Sequence, residues 1–268
     1  MPRIPVDARR ARIRELLFEC ETLSVPDLAR HFDVSEMTIR RDLDSLAGAG
    51  QVRRVHGGAL VSERMSFEFD FHERRLRQLP QKQAIAAVAA SLIEPGDTLF
   101  LDTGTTTLEL AQRLKDAAQL TVITTSLAVA ATLQFAASVR TILLGGEIRR
   151  GSADTSGALT EYLLERLTAR VAMVGAEGID LEGNFYDADP QLARVAVMMR
   201  ERSDRTYILC DSRKIGQRAL VRSGHLSEVD ALITDWELES DKRAALEALG
   251  GVKVTLAGRP AEADRQTA

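Results

Sequence analysis

Cysteine is scarce: Cys20 and Cys210 are the only two in 268 residues. They lie far apart in sequence, and neither a disulfide framework nor a Cys-based zinc site is expected. Each sits within an apolar pattern, where a free thiol behaves as a small buried hydrophobe. The four histidines, His31, His56, His72 and His225, are scattered without metal-ligand spacing, so no metal site is expected. The usual nucleotide fingerprints are missing too. No Gly-Lys-Ser/Thr stands at P-loop spacing and no GxGxxG follows a strand, so ATP hydrolysis and NAD chemistry lack their parts, and no cofactor is expected. No apolar run approaches the roughly 18–20 residues that span a bilayer. The opening MPRIPVDARRARIREL lacks the unbroken apolar segment of a secretory signal. A cytoplasmic protein with no membrane role is expected.

What is present fits a soluble globular protein, 45% hydrophobic and 28% charged, with no internal repeat. The length leaves room for a small and a large domain. The net charge of −4 is unevenly spread: residues 1–61 carry ten arginines and no lysine against nine Asp and Glu (+1), and the other 207 carry 25 against 30 (−5). A basic set made only of arginine suits phosphates and guanine edges, because the planar guanidinium fork matches both.

In that front segment Ile13, Leu16, Leu17 and Cys20 recur at helical spacing, with Arg9, Arg10, Arg12 and Arg14 around the polar sides. A second helix is expected from Ser24-Val25-Pro26-Asp27, which combines a serine cap, an early proline and an acidic residue three positions on. It runs to about Phe32, with Leu28, Ala29 and Phe32 inward. After a turn at Asp33-Val34, Ser35 caps a third helix. At 100° per residue Ile39, Leu43 and Leu46 share one sector, Met37, Arg41 and Ser45 lie opposite, and Thr38 and Arg40 occupy the shoulders. Then QVRRVHGGALV alternates and breaks at Gly57-Gly58, as a small hairpin does. Arg53, Arg54 and His56 cluster near its tip. Helix, turn, presented helix and basic hairpin follow in the order of a winged helix-turn-helix.

Arg9, Ile13, Leu17, Ser35, Thr38-Ile39-Arg40-Arg41-Asp42-Leu43 and Arg54-Val55-His56-Gly57-Gly58-Ala59 resemble the DeoR-type bacterial transcriptional regulators. The resemblance implies operator binding by the third helix. Double-stranded DNA is then met by Ser24, Ser35, Thr38, Arg40 and Arg41 on the helix side and by Arg53, Arg54 and His56 on the backbone. Arg41 is assigned to base edges and Arg40 to phosphate. Glu36 and Met37 are the specificity candidates, since a carboxylate accepts from cytosine and an apolar side chain meets a thymine methyl.

Residues 62–80 mix charges and end at proline, and are read as a linker in which Phe67, Phe69 and Phe71 alternate as in a strand. A helix is expected over 82–93. Apolar runs at 98–101, 120–123, 139–144, 171–174, 207–209, 231–233 and 252–256 read as strands, with helices at 107–114, 127–133, 191–201 and 241–249. That rhythm implies a mostly parallel sheet covered on both faces, with ligands beyond the carboxyl ends of its strands. Chemistry-bearing residues fall at those ends. Asp102-Thr103-Gly104-Thr105-Thr106-Thr107 leads from a strand into a helix N-terminus, a natural cradle for phosphate. Thr124-Thr125-Ser126, Gly145-Gly146-Glu147 and Gly175 end the next strands, and Asp211-Ser212-Arg213-Lys214 brings a cation.

These segments, with Gly178-Ile179-Asp180 and Ile233-Thr234-Asp235, resemble the sensor domain of the same family, similar in fold to ribose-5-phosphate isomerase and coenzyme A transferases. The resemblance implies a phosphorylated sugar or polyol effector. Its contacts are assigned to residues 102–107, Thr125, Ser126, Gly145, Gly146, Glu147, Gly175, Asp180 and Lys214. The chain departs from the pattern at Thr125, where many relatives carry asparagine, and at Leu192 and Ala196, where many carry glutamate and lysine, so the sugar itself is not identified. The expected organisation is a DNA-binding domain at 1–61, a linker at 62–80, an α/β sensor at 81–257 and a disordered tail at 258–268. A ligand-controlled regulator, a repressor of a carbohydrate or polyol operon acting as a homodimer or homotetramer, is the leading expectation. The alternative is a sugar-phosphate isomerase-like enzyme with a vestigial front domain, using Asp102, Glu147 and Asp180 as acid–base groups.

Overall fold

The computed structural model describes residues 4–20, 22–61, 71–117, 119–149 and 152–259. The chain divides between Arg74 and Arg75 into two compact units. In the front unit α1 (Val6–Cys20), α2 (Val25–Phe32) and α3 (Glu36–Gly48) pack with the strands β1 (Thr22–Ser24), β2 (Val52–Val55) and β3 (Gly58–Val61). Ile13, Leu17, Leu28, Ile39 and Leu43 are fully buried. Each such side chain contributes roughly 1.5–3 kcal/mol, so the inward faces read from the sequence are what hold α3 in place.

Three features of this unit differ from expectation. The hairpin is extended by β1 into a three-stranded sheet in the order β1-β3-β2, with β3 at its centre. Gly58 permits this, because a Cβ there would lie 2.3 Å from the Leu23 carbonyl oxygen. Cys20 is exposed, as the last residue of α1, beyond the packed turns. Arg9 is buried rather than on a polar side, for a reason that lies on α3.

In the second unit the first helix, α4 (Leu79–Ala90), starts earlier than expected, inside the stretch read as linker. Pro80 stands in its first turn, where a missing N–H costs no hydrogen bond. Residues 71–76 are helical, so Phe71 does not extend a strand. Phe67, Phe69 and tail residues 260–268 lie outside the described residues.

The strands follow as β4 (Thr98–Leu101), β5 (Leu120–Thr124), β6 (Val139–Leu143), β7 (Glu147–Ile148), β8 (Thr155–Ser156), β9 (Ala169–Gly175), β10 (Gly178–Ile179), β11 (Asn184–Asp187), β12 (Ser203–Leu209), β13 (Val221–His225), β14 (Ala231–Asp235) and β15 (Lys253–Ala257). Between them lie α5 (Thr105–Leu114), α6 (Leu127–Leu133), α7 (Ala158–Leu164), α8 (Pro190–Glu201) and α9 (Ser240–Ala248). Seven strands form one parallel sheet in the order β15-β14-β12-β9-β4-β5-β6. The β4 and β9 runs, Leu99-Phe100-Leu101 and Val171-Ala172-Met173-Val174, are fully buried, as an inner strand covered on both faces requires. Two small antiparallel sheets, β7-β8 and β10-β11-β13, were not anticipated. From β4 the order runs one way through β5 and β6, and from β9 the other way, so the crevice of this sheet opens where β4 and β9 end.

Candidate functional site

Two local sites emerge, one on each unit. On the front unit Ser24 and Ser35 accept from the Asp27 and Thr38 amides, each at 3.2 Å, and so cap α2 and α3. Their hydroxyls are further engaged by Asp27 (2.6 Å) and Thr38 Oγ1 (2.9 Å). These serines therefore fix the starts of α2 and α3. Met37 is 58% exposed, and Arg41 is exposed with no ion pair among the described residues. Arg40 pairs with Glu36 at 3.0 Å along the outer face, so the carboxylate read as a base-contact candidate already steadies a neighbouring cation.

The residue after Arg41 points the other way. Asp42 is buried and takes Arg9 at 2.6 Å and Arg10 at 2.9 Å from α1. It lies three positions after Ile39 and four before Leu46, on the inner edge of the helix. Arg54 is also committed internally, at 3.1 Å from Asp44 on α3 and donating to the Gly58 carbonyl at 3.0 Å. It fastens the hairpin to the presented helix. Arg53 and His56 remain exposed.

At the strand ends of the second unit, Asp102 lies in the β4/β9 crevice. It is 5% exposed and accepts from the amides of Thr103 (2.7 Å) and Gly175 (3.1 Å), bonds that join the ends of β4 and β9. Burial, aided by the charge of Asp187, raises its carboxyl to about 7 despite those two donors. Helix α5 starts beside it with Gly104 as its N-cap and no side-chain cap; the Thr107 hydroxyl donates back to the Gly104 carbonyl at 3.0 Å. Thr105 and Thr106 are half-buried on the first turn.

Next along the rim, Thr125 is fully buried and its Oγ1 has no hydrogen-bond partner among the described residues. Ser126 caps α6 through the Val129 amide at 3.2 Å. Strand β8 is tied to the ends of β5 and β6: the Thr155 amide donates to the Thr125 carbonyl (3.0 Å) and its hydroxyl to the Leu144 carbonyl (2.7 Å). Thr160 holds the Gly145 carbonyl at 2.8 Å. Gly146 admits no side chain, since a Cβ would stand 2.0 Å from Thr160 Oγ1. Glu147 is exposed on β7.

The cation also comes to this rim. Lys214 Nζ donates to the Ala176 carbonyl at 2.9 Å and pairs with Glu177 at 3.1 Å, just beyond the end of β9. Burial works against its charge, but Cys210 and Glu177 outweigh it and raise the ammonium above its usual value. Asp235 accepts from Ser212 N (2.8 Å) and Oγ (2.9 Å), which fixes the 211–214 turn.

Asp180 is set apart from this group. It accepts from the Asn184 amide (2.9 Å) and the Tyr186 hydroxyl (2.7 Å) and pairs with Arg218 (3.0 Å). Burial opposes its charge, but the Tyr186 and Asn184 bonds and Arg218 prevail and hold the carboxyl at about 2. It is the clasp of the β10–β11 turn. Sequence reasoning missed Asp187, whose carboxyl is raised by burial, and Lys82, 4% exposed and lowered to about 8 by burial against the pull of Asp211. A lone lysine in the Ala-rich run of α4 was the only signal for the second. Among the described residues no cluster of metal-ligating side chains forms, and no helix is long and apolar enough to cross a membrane.

Comparison with known proteins matches a domain to each unit. A model of the DeoR-like helix-turn-helix domain matches residues 9–65, and one of the DeoR C terminal sensor domain matches residues 77–236. The glycerol-3-phosphate regulon repressor of Escherichia coli (strain K12) is 35% identical over 85% of this chain and 90% of its own. The L-fucose operon activator of Haemophilus influenzae is 33% identical over 80% of this chain and 86% of its own. Among solved structures, ribose 5-phosphate isomerase A from Methanocaldococcus jannaschii is similar at 14% identity and a TM-score of 0.38, over 50% of this chain and 53% of that one, too distant to bear on chemistry. With its helix-turn-helix domain followed by a sensor domain, the chain belongs to the DeoR family of transcriptional regulators.

Proposed function

We propose that this regulator is a ligand-released repressor: α3 enters the major groove of operator DNA, and a phosphorylated sugar or polyol at the β4/β9 rim controls that binding. The observation that carries the reading is α3 itself, held down by Ile39, Leu43 and Leu46 while Met37 and Arg41 stand outward, with no hydrogen bond or ion pair from either side chain among the described residues. Arg41 reads base edges, and Arg53 and His56 meet the backbone beside the groove. Arg54 positions the wing, Ser24 and Ser35 position the helix, and Glu36 aims Arg40. A two-fold pair reads two half-sites about one helical turn apart, in the cytoplasm where operator DNA is reached. Repression follows the name of the Escherichia coli relative; the Haemophilus activator makes the sign of regulation part of the test.

The effector would take its phosphate on the uncapped N-terminus of α5 and the Lys214 ammonium, with its hydroxyls met by Thr125 Oγ1, which has no hydrogen-bond partner among the described residues, and by the remaining lone pairs of Asp102. Asp102 is also what an isomerase-like enzyme would need, a buried carboxyl titrating near neutrality. Asp180, held at about 2 and fully bonded, is unsuited to that work.

A thermal-shift screen of phosphorylated sugars and polyols, glycerol 3-phosphate included, tests the reading. A ligand at a hundred times its Kd stabilises the folded state by about 2.7 kcal/mol. A rise in Tm with at least one phosphate compound, absent in Lys214→Ala, is expected. No shift with any of them would remove the sensor assignment.

A further inference from the structure

The seven-stranded sheet ends in two edges that differ in chemistry. The β15 edge opens with the exposed Lys253, a charge of the kind that discourages a further strand from pairing. The β6 edge reads Val-Arg-Thr-Ile-Leu, with neither proline nor lysine to guard it. Its one charge, Arg140, shares a face with Ile142, which packs against the main core. Val139, Thr141 and Leu143 take the other face, where Leu143 is 42% exposed. There they line a groove with Leu127, Ala130, Ala131 and Gln134, one stripe of α6 and its cap at helical spacing, and no charged side chain enters the lining.

The backbone of β6 alternates in the same way. The Leu144 amide donates to the Thr124 carbonyl at 2.9 Å and the Ser138 carbonyl accepts from the Leu120 amide at 3.1 Å, so the even-numbered residues spend their backbone groups on β5. Those of Val139, Thr141 and Leu143 point to the open side. The Val139 amide is engaged, by the Ala136 carbonyl at 3.2 Å. The amides of Thr141 and Leu143, and the carbonyls of all three residues, have no partner among the described residues.

We propose that β6 is the contact between two copies of this chain, paired antiparallel about a two-fold axis at Thr141. The pattern is self-complementary under that axis. Each Thr141 amide meets the partner's Thr141 carbonyl, and each Leu143 amide meets the partner's Val139 carbonyl. The alternate amide left over, that of Val139, is the one already spent within its own chain. On the groove face each Leu143 lies against the partner's Val139, and the two α6 stripes, with alanine at their centres, flank the axis. The need for a second copy rests on the two-fold reading of operator DNA proposed above.

The test follows sedimentation of the intact chain over a range of concentrations, with Leu143→Lys alongside, and oxidative cross-linking of Thr141→Cys in a Cys20→Ser background. The wild type should sediment as a dimer or an even multiple, and Leu143→Lys, folded by far-UV circular dichroism, should dissociate at concentrations at least tenfold higher. Thr141→Cys should give a dimer-sized disulfide product, because directly opposed residues of a bonded antiparallel pair place their Cα atoms about 5.5 Å apart. Ala137→Cys, exposed as well but with its copies at opposite ends of the paired strands, should not. Equal assembly of the wild type and Leu143→Lys with no Thr141→Cys product would overturn the proposal and leave the two-fold reading standing. A monomeric wild type, the result expected if another protein's strand occupied this edge, would overturn both.

Discussion

Asp102 shows how one residue's surroundings decide its behaviour. The sequence placed it at a strand end next to a glycine-threonine turn, and it is there. Its burial was not legible, because it depends on β9, some seventy residues away, bringing the Gly175 amide to 3.1 Å. A carboxyl raised to about 7 in the folded chain stabilises in its protonated form. Its contribution is therefore fully present below the unfolded value near 4, declines as pH rises toward about 7, and is gone above it. The stability difference between the wild type and Asp102→Asn, measured by urea unfolding, should favour the wild type most near pH 4 and shrink by a few kcal/mol by pH 8. A difference that does not change with pH would contradict the buried, protonatable state.

The helix α3 carries two opposite assignments on adjacent residues, 100° apart around its axis. Asp42→Ala would leave Arg9 buried without its ion pair, a change that costs roughly 3–5 kcal/mol. Arg41→Ala removes no side-chain hydrogen bond or ion pair among the described residues. Melting curves and DNA titrations should separate them: Asp42→Ala lowers Tm and loses binding with the fold, while Arg41→Ala keeps the wild-type Tm and loses roughly 1–3 kcal/mol of DNA affinity. Equal melting of both variants would dissolve the distinction. At this scale the apolar face of α3 and the buried parallel strands were legible, since each repeats a pattern within a few residues. The α1–α3 clasp was not, because Arg9 and Arg10 read as ordinary helix charges until Asp42 faces them. Nor were β7, β8 and β10, which are two residues long and owe their positions to distant side chains. Tyr186 and Arg218, for example, close on Asp180 from 6 and 38 residues away.

For the whole molecule the division of labour follows from charge and topology. The arginine-only front unit presents a helix, and the acidic second unit gathers phosphate-suited groups where β4 and β9 part. Regulation requires that a ligand bind two states of the protein with different affinity, and that difference sets how far DNA binding shifts. Ligand control of DNA binding therefore rests on one coupling. Its most direct measurement is fluorescence-anisotropy titration of the intact chain against a duplex chosen by in vitro selection, with and without the phosphorylated ligand that raises Tm, in wild type and Lys214→Ala. The expected result is a duplex affinity at least tenfold weaker with ligand for the wild type and unchanged by it for Lys214→Ala. A ligand that binds the wild type yet leaves its DNA affinity untouched would contradict the account.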